Sequence, residues 1–168
     1  MEFVRVGSAV LLAVVFATAS ASKLRDFAGF RRSVAALVPV GPRWVVPLAV
    51  GVVAAELAAS VLVLVPGTAT YGFGLAGALL LAFAGAISVA LGRGQRTPCR
   101  CFGASNAPLH PGHVARNLIL VGLAAIGGSA PQHLPPAGGL VVAALAGAVG
   151  AVLVIAAEDI AVVLVRSS

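Results

Sequence analysis

Between Tyr71 and Leu91, and again between Gly138 and Ala157, the chain carries no charged residue, and each stretch is long enough to cross a bilayer as one helix. A hydrocarbon core about 30 Å thick takes roughly 20 helical residues, and every backbone N–H and C=O inside it must find its partner within the protein. Helices and closed barrels meet that demand. The long runs of Ala, Val, Leu and Gly lack the alternation of barrel strands, so the sequence predicts an all-α protein. With 60% apolar and 10% charged residues, the chain lies outside the range of soluble domains of 168 residues.

Five apolar runs organise the chain: 3–22, 44–65, 71–91, 113–128 and 138–157. They predict a polytopic transmembrane helical bundle, a four-helix core plus one, in a single membrane domain over 1–168. The first run resembles a signal peptide at Ala19-Ser20-Ala21, but its length and its polar exit, Lys23-Leu24-Arg25-Asp26, predict a retained span. A basic loop is expected from there to Arg43, with Pro39, Gly41 and Pro42 barring a continuous helix into the second run. Trp44 would stand at headgroup level. Pro66-Gly67-Thr68 reads as a tight turn that makes the second and third runs antiparallel neighbours. Gly74, Gly77 and Gly85 in the third run predict close approach of helix backbones. The fourth run opens on Arg116 and Asn117; it crosses if Arg116 snorkels or is paired, and is otherwise re-entrant.

The net charge of +6 would point to nucleic acid in a soluble protein, but the basic residues fall between apolar runs, so no nucleic-acid partner is expected. Lys23, Arg25, Arg31, Arg32 and Arg43 occupy the first connection, and Arg93, Arg96, Arg100 and Arg116 occupy or adjoin the third. Because basic loops stay in the cytoplasm, this places the N-terminus outside and the C-terminus and the third loop inside. The expectation is a multi-pass cell-membrane protein whose first partner is the lipid bilayer.

The chemistry concentrates in Pro98-Cys99-Arg100-Cys101-Phe102-Gly103. Two cysteines so close can close only a small, strained ring, which is easier to reduce than a structural disulfide and so favours cycling. Arg96 and Arg100 would favour the thiolate, the reactive form. Two incidental thiols remain the plain alternative. Cys99 and Cys101 with His110 or His113 match no zinc spacing, and no metal site is expected. Glu56 is the other candidate: a carboxylate near the centre of the second run should face the bundle interior, protonated or paired.

These residues resemble the methylamine utilisation protein MauE family, related to DoxX-like small membrane proteins. The resemblance is carried by Lys23-Leu24-Arg25-Asp26 with Phe27 and Phe30, Glu56, Cys99-Arg100-Cys101-Phe102-Gly103, and Arg116-Asn117. It implies a redox-associated membrane protein that supports maturation of an exported protein, in methylamine metabolism in the founding case. It also implies a thioredoxin-like or other redox partner on a separate polypeptide, since this sequence shows no such domain.

One couple of two electrons cannot by itself relay across a membrane, so a quinone, a partner protein or a loop reachable from both faces must complete the path. No bound cofactor is evident, and quinone is the one the chemistry admits. Two rival classes stay open: a non-catalytic subunit of a membrane oxidase or quinone-binding complex, and a small transporter centred on Glu56.

Overall fold

The computed structural model describes residues 1–94, 110–133 and 135–166, with the backbone alone beyond Ala157. Its helices are α1 (Glu2–Arg25), α2 (Phe27–Leu37), α3 (Pro42–Leu62), α4 (Ala69–Gly92), α5 (Pro111–Ser129) and α6 (Ala137–Arg166). Four of them, α1, α3, α4 and the Ala137–Ala157 part of α6, are long and apolar enough to cross a membrane. Large apolar side chains such as Leu57, Val61, Leu81, Val142 and Leu153 stand exposed, as lipid-facing positions require.

The centre of the bundle is α1, which packs against every other helix. Leu12, Val15 and Phe16 are fully buried, and with Leu80 of α4 and Leu120 of α5 they form the main core. The first apolar run is therefore part of the packed bundle. It runs parallel to α6: a side chain on Gly139 would strike the Phe3 ring, one on Gly147 would strike Gly7, and one on Gly150 would strike Leu11. The helices α4 and α5 are antiparallel, with Gly127 and Gly128 of α5 against the Phe73 ring near the start of α4. The same register brings Leu80 to Leu120 and Ile87 to Val114.

Five helices thus pass end to end through the bundle. The α3–α4 turn, the end of α5 and the start of α1 share one end. The other holds α2, the end of α4 and the start of α5, where Leu37, Ile87, Ala90 and Val114 pack together. The termini of α1 and the Ala137–Ala157 segment accordingly leave the bundle at opposite ends.

Several expectations are corrected. The first connection is not a loop: α2 fills most of it. Asp26 caps it by accepting the Gly29 N–H at 2.8 Å. Phe30 and Val34 face Ala49 and Val53 of α3, Leu37 packs on Ile87 and Ala90 of α4, and Arg31 and Arg32 lie exposed on the other side. The fourth apolar run begins two residues earlier than expected and is an unbroken helix on α4, not a re-entrant turn. It is less apolar than the four named helices because His113, Arg116 and Asn117 occupy its first turns. The last run continues past Glu158 and Asp159 as helix to Arg166. Gly74, Gly77 and Gly85 make no close approach, since a Cβ there would meet nothing within 4 Å. The contact belongs to Gly72 instead.

Loss of the α2 cap gives a modest test of this account. Asp26→Ala is expected to destabilise the protein by about 1 kcal/mol, read as a lower midpoint of unfolding in detergent, while Arg31→Ala on the exposed face leaves the midpoint in place.

Candidate functional site

Cys99, Cys101, Pro98, Arg100, Phe102 and Gly103 lie outside the described residues. Their flanks are defined. Gly94, with a left-handed φ of 70°, follows α4, and His110 precedes α5, both at the end of the bundle that carries α2. His110 caps α5 by accepting the Gly112 N–H on its ring nitrogen at 2.9 Å, and Pro111 takes a first-turn position where a missing N–H costs nothing. The rings of His110 and His113 lie 4.3 Å apart, tilted by 42°. His113 is buried, and Arg116 is half-buried one turn on.

A second polar group lies deeper. Lys23 and Glu56 form a buried ion pair, Nζ to Oε1 at 2.7 Å, with side-chain exposures of 1% and 0%. Lys23 was read from sequence as a loop cation; it is instead on the last turn of α1, on the inward stripe of Leu12, Phe16, Ala19 and Ser20. Its ammonium also stands over the rings of Phe30 and Phe83, at 5.4 and 5.5 Å. Ser20 Oγ, which donates to the Phe16 carbonyl at 2.9 Å, lies 3.4 Å from the other oxygen of Glu56. Three helices and α2 therefore converge on one charge pair.

Asn117 lies on α5 between Val114, which joins the cluster of Ile87, and Leu120, which joins that of Leu80. It is fully buried, and neither atom of its carboxamide has a hydrogen-bond partner among the described residues. Arg116 faces a groove of about 450 Å³ between α5 and α6, walled by Ile119, Leu120, Leu153 and Val154. The adjacent pair Arg116-Asn117 is thus split, one residue toward the groove and one into the core.

The structure consequently pairs Glu56 with Lys23, buries Asn117 on α5, and sets Arg116 in the same groove as His110, at the flank of the cysteine segment. Sequence reasoning missed Lys23 as a partner for Glu56, although its spacing from Phe16 and Ser20 carries the signal. It also missed Arg5, which is 7% exposed. Arg5 Nη1 donates to the carbonyls of Gly127 and Ala130 at 3.3 and 2.9 Å, and Nη2 donates to Thr70 Oγ1 at 3.4 Å. A buried cation therefore closes the negative end of α5.

A family model described as methylamine utilisation protein MauE matches residues 1–130, which include α1 to α5 and both cysteines. No curated protein and no solved structure matches the chain.

Proposed function

Because the chain belongs to the methylamine utilisation protein MauE family, we propose that this multi-pass membrane protein uses Cys99 and Cys101 in thiol–disulfide exchange to support maturation of an exported partner protein. The observation that carries the reading is that the Cys-Arg-Cys segment falls inside the matched region and is flanked by α4 and α5, whose mutual packing is the most extensive in the bundle. The two flanks of that segment stand on firmly paired helices at one end of the bundle. Arg25, Arg31, Arg32, Arg43 and Arg93 share that end, which supports its assignment to the cytoplasmic side.

In the exchange, one thiolate attacks a disulfide sulfur of a thioredoxin-like partner, giving a mixed disulfide and releasing one partner thiolate. The second cysteine then attacks its neighbour's sulfur, closing the Cys99–Cys101 bond and releasing the partner as a dithiol. Two electrons pass from this pair to the partner, and the reverse sequence returns them. Arg100 favours the attacking thiolate. A membrane quinone or a second redox protein accepts or supplies the electrons on the far leg. The Lys23–Glu56 pair holds α1 to α3, and a charge pair so enclosed supports the reading of a structural latch rather than of a transport site.

Thiol trapping in native membranes tests the proposal. A maleimide carrying a polymer tag is expected to add twice after reductant and not at all after a mild oxidant, and one of the single variants Cys99→Ser and Cys101→Ser, the one that keeps the attacking thiol, is expected to accumulate a mixed disulfide with a partner. Full maturation of the exported partner by the Cys99→Ser, Cys101→Ser double variant, with labelling indifferent to redox conditions, would overturn it.

A further inference from the structure

At the end of the bundle opposite α2, the helix α1, the α3–α4 turn and α6 enclose a cavity of about 220 Å³ with Arg5 in its wall. We propose that this cavity binds the phosphate head of an anionic phospholipid of the adjacent leaflet. This goes beyond the redox reading and does not depend on it.

The first ground is the state of Arg5. A guanidinium has five N–H donors, and the bonds to Gly127, Ala130 and Thr70 use three of those of Arg5. Two remain without an acceptor among the described residues, and no carboxylate there pairs with the cation. The end of α5 and the Phe73 ring, 5.6 Å below, answer only part of a full charge. A buried cation left without a counter-charge is costly, and an anionic guest removes that cost.

The second ground is the composition of the wall. Gln132, which donates to Thr70 Oγ1 at 3.3 Å, and His133 join Arg5 on the polar side, with no acid on the cavity surface to repel a phosphate. The rest of the lining is apolar and includes Val10, Leu64 and Leu140. Leu64 and Leu140 are 54% and 38% exposed, so the apolar side opens toward lipid. Polar donors together with exposed apolar lining residues match a lipid whose phosphate enters while its chains stay in the bilayer. A zwitterionic headgroup fits worse, since it carries no net negative charge to offset that of Arg5.

The test uses the full-length protein in detergent, stripped of lipid and then offered phosphatidylglycerol, phosphatidylcholine or inorganic phosphate, with retention read by native mass spectrometry and stability by thermal melting. Phosphatidylglycerol is expected to be retained and to raise the melting temperature, whereas phosphatidylcholine and inorganic phosphate do neither. Because Arg5→Gln also removes the closure of α5, the deciding variant is Ala144→Phe, which fills the cavity from α6 and leaves the Arg5 hydrogen bonds in place. It is expected to weaken retention of phosphatidylglycerol at least about tenfold, with lipid-free melting close to wild type. Equal retention of the two phospholipids by the wild type overturns the proposal. So does undiminished retention of phosphatidylglycerol by a folded Ala144→Phe variant, or stabilisation by inorganic phosphate equal to that by lipid. Should that variant fail to fold, Gln132→Glu decides: it puts an acid on the cavity wall and is expected to abolish the preference for phosphatidylglycerol, and an undiminished preference in that variant refutes the site.

Discussion

Replacing either partner of the Lys23–Glu56 pair alone, as Lys23→Met or Glu56→Leu, is expected to destabilise the bundle by about 3–5 kcal/mol, because each change strands a buried charge. The pair has no water to fall back on: Glu56 is fully buried, and Lys23 is enclosed by two aromatic rings. Combining the two changes should recover most of the loss. Met and Leu together keep the volume and remove both charges, so the double variant is expected near wild-type stability. Unfolding by denaturing detergent, carried through all four corners of the cycle, measures this. Single variants that melt with the wild type would show that the pair does not hold α1 to α3; a double variant as weak as the worse single would show that the charges contribute more than their mutual neutralisation.

The second large effect is expected at Gly72. A Cβ there would stand 2.7 Å from the Val63 Cα and as close to the Leu62 carbonyl carbon, both backbone atoms that cannot rotate aside. The approach is needed because the turn between α3 and α4 is short, so α4 starts against the last turn of α3. Gly72→Ala must therefore push the two helices apart, and a loss of about 1–3 kcal/mol is expected from the overpacking. Gly74→Ala is the matched control, as its Cβ would meet open space; it is expected within about 0.5 kcal/mol of wild type. Thermal melting of the two variants side by side separates the cases, and equal melting temperatures would refute the close approach.

These two sites also show why the sequence was legible in some respects and opaque in others. Gly72 and Gly74 are indistinguishable by composition, since both sit in one uncharged, Gly-rich run. What separates them is the rotation of α4 about its axis, which the packing of Phe73, Ala76 and Leu80 sets. A run that is apolar all round gives little periodic signal from which to read that rotation. Lys23 illustrates the opposite difficulty. Its charge and its place after an apolar run made it a plausible loop residue, yet its spacing from Phe16 and Ser20 puts it on the buried stripe, where Glu56 answers it. In the segment after Asp26 the arginines read as a basic loop, while the spacing of Phe27, Phe30, Val34 and Leu37 is what makes α2 an amphipathic helix.

Helical class, membrane residence and the places where most helices begin and end follow from local properties: run length against bilayer thickness, the breaking power of proline and glycine, and the absence of charge. Those need no knowledge of neighbours. Which face of each helix turns inward, that Lys23 meets Glu56, that Arg5 closes α5, and that a cavity forms beside it are relations between helices far apart in the chain. Such relations arise when the helices pack, because a polar side chain in hydrocarbon has no solvent to satisfy it and must take whatever partner the packing supplies.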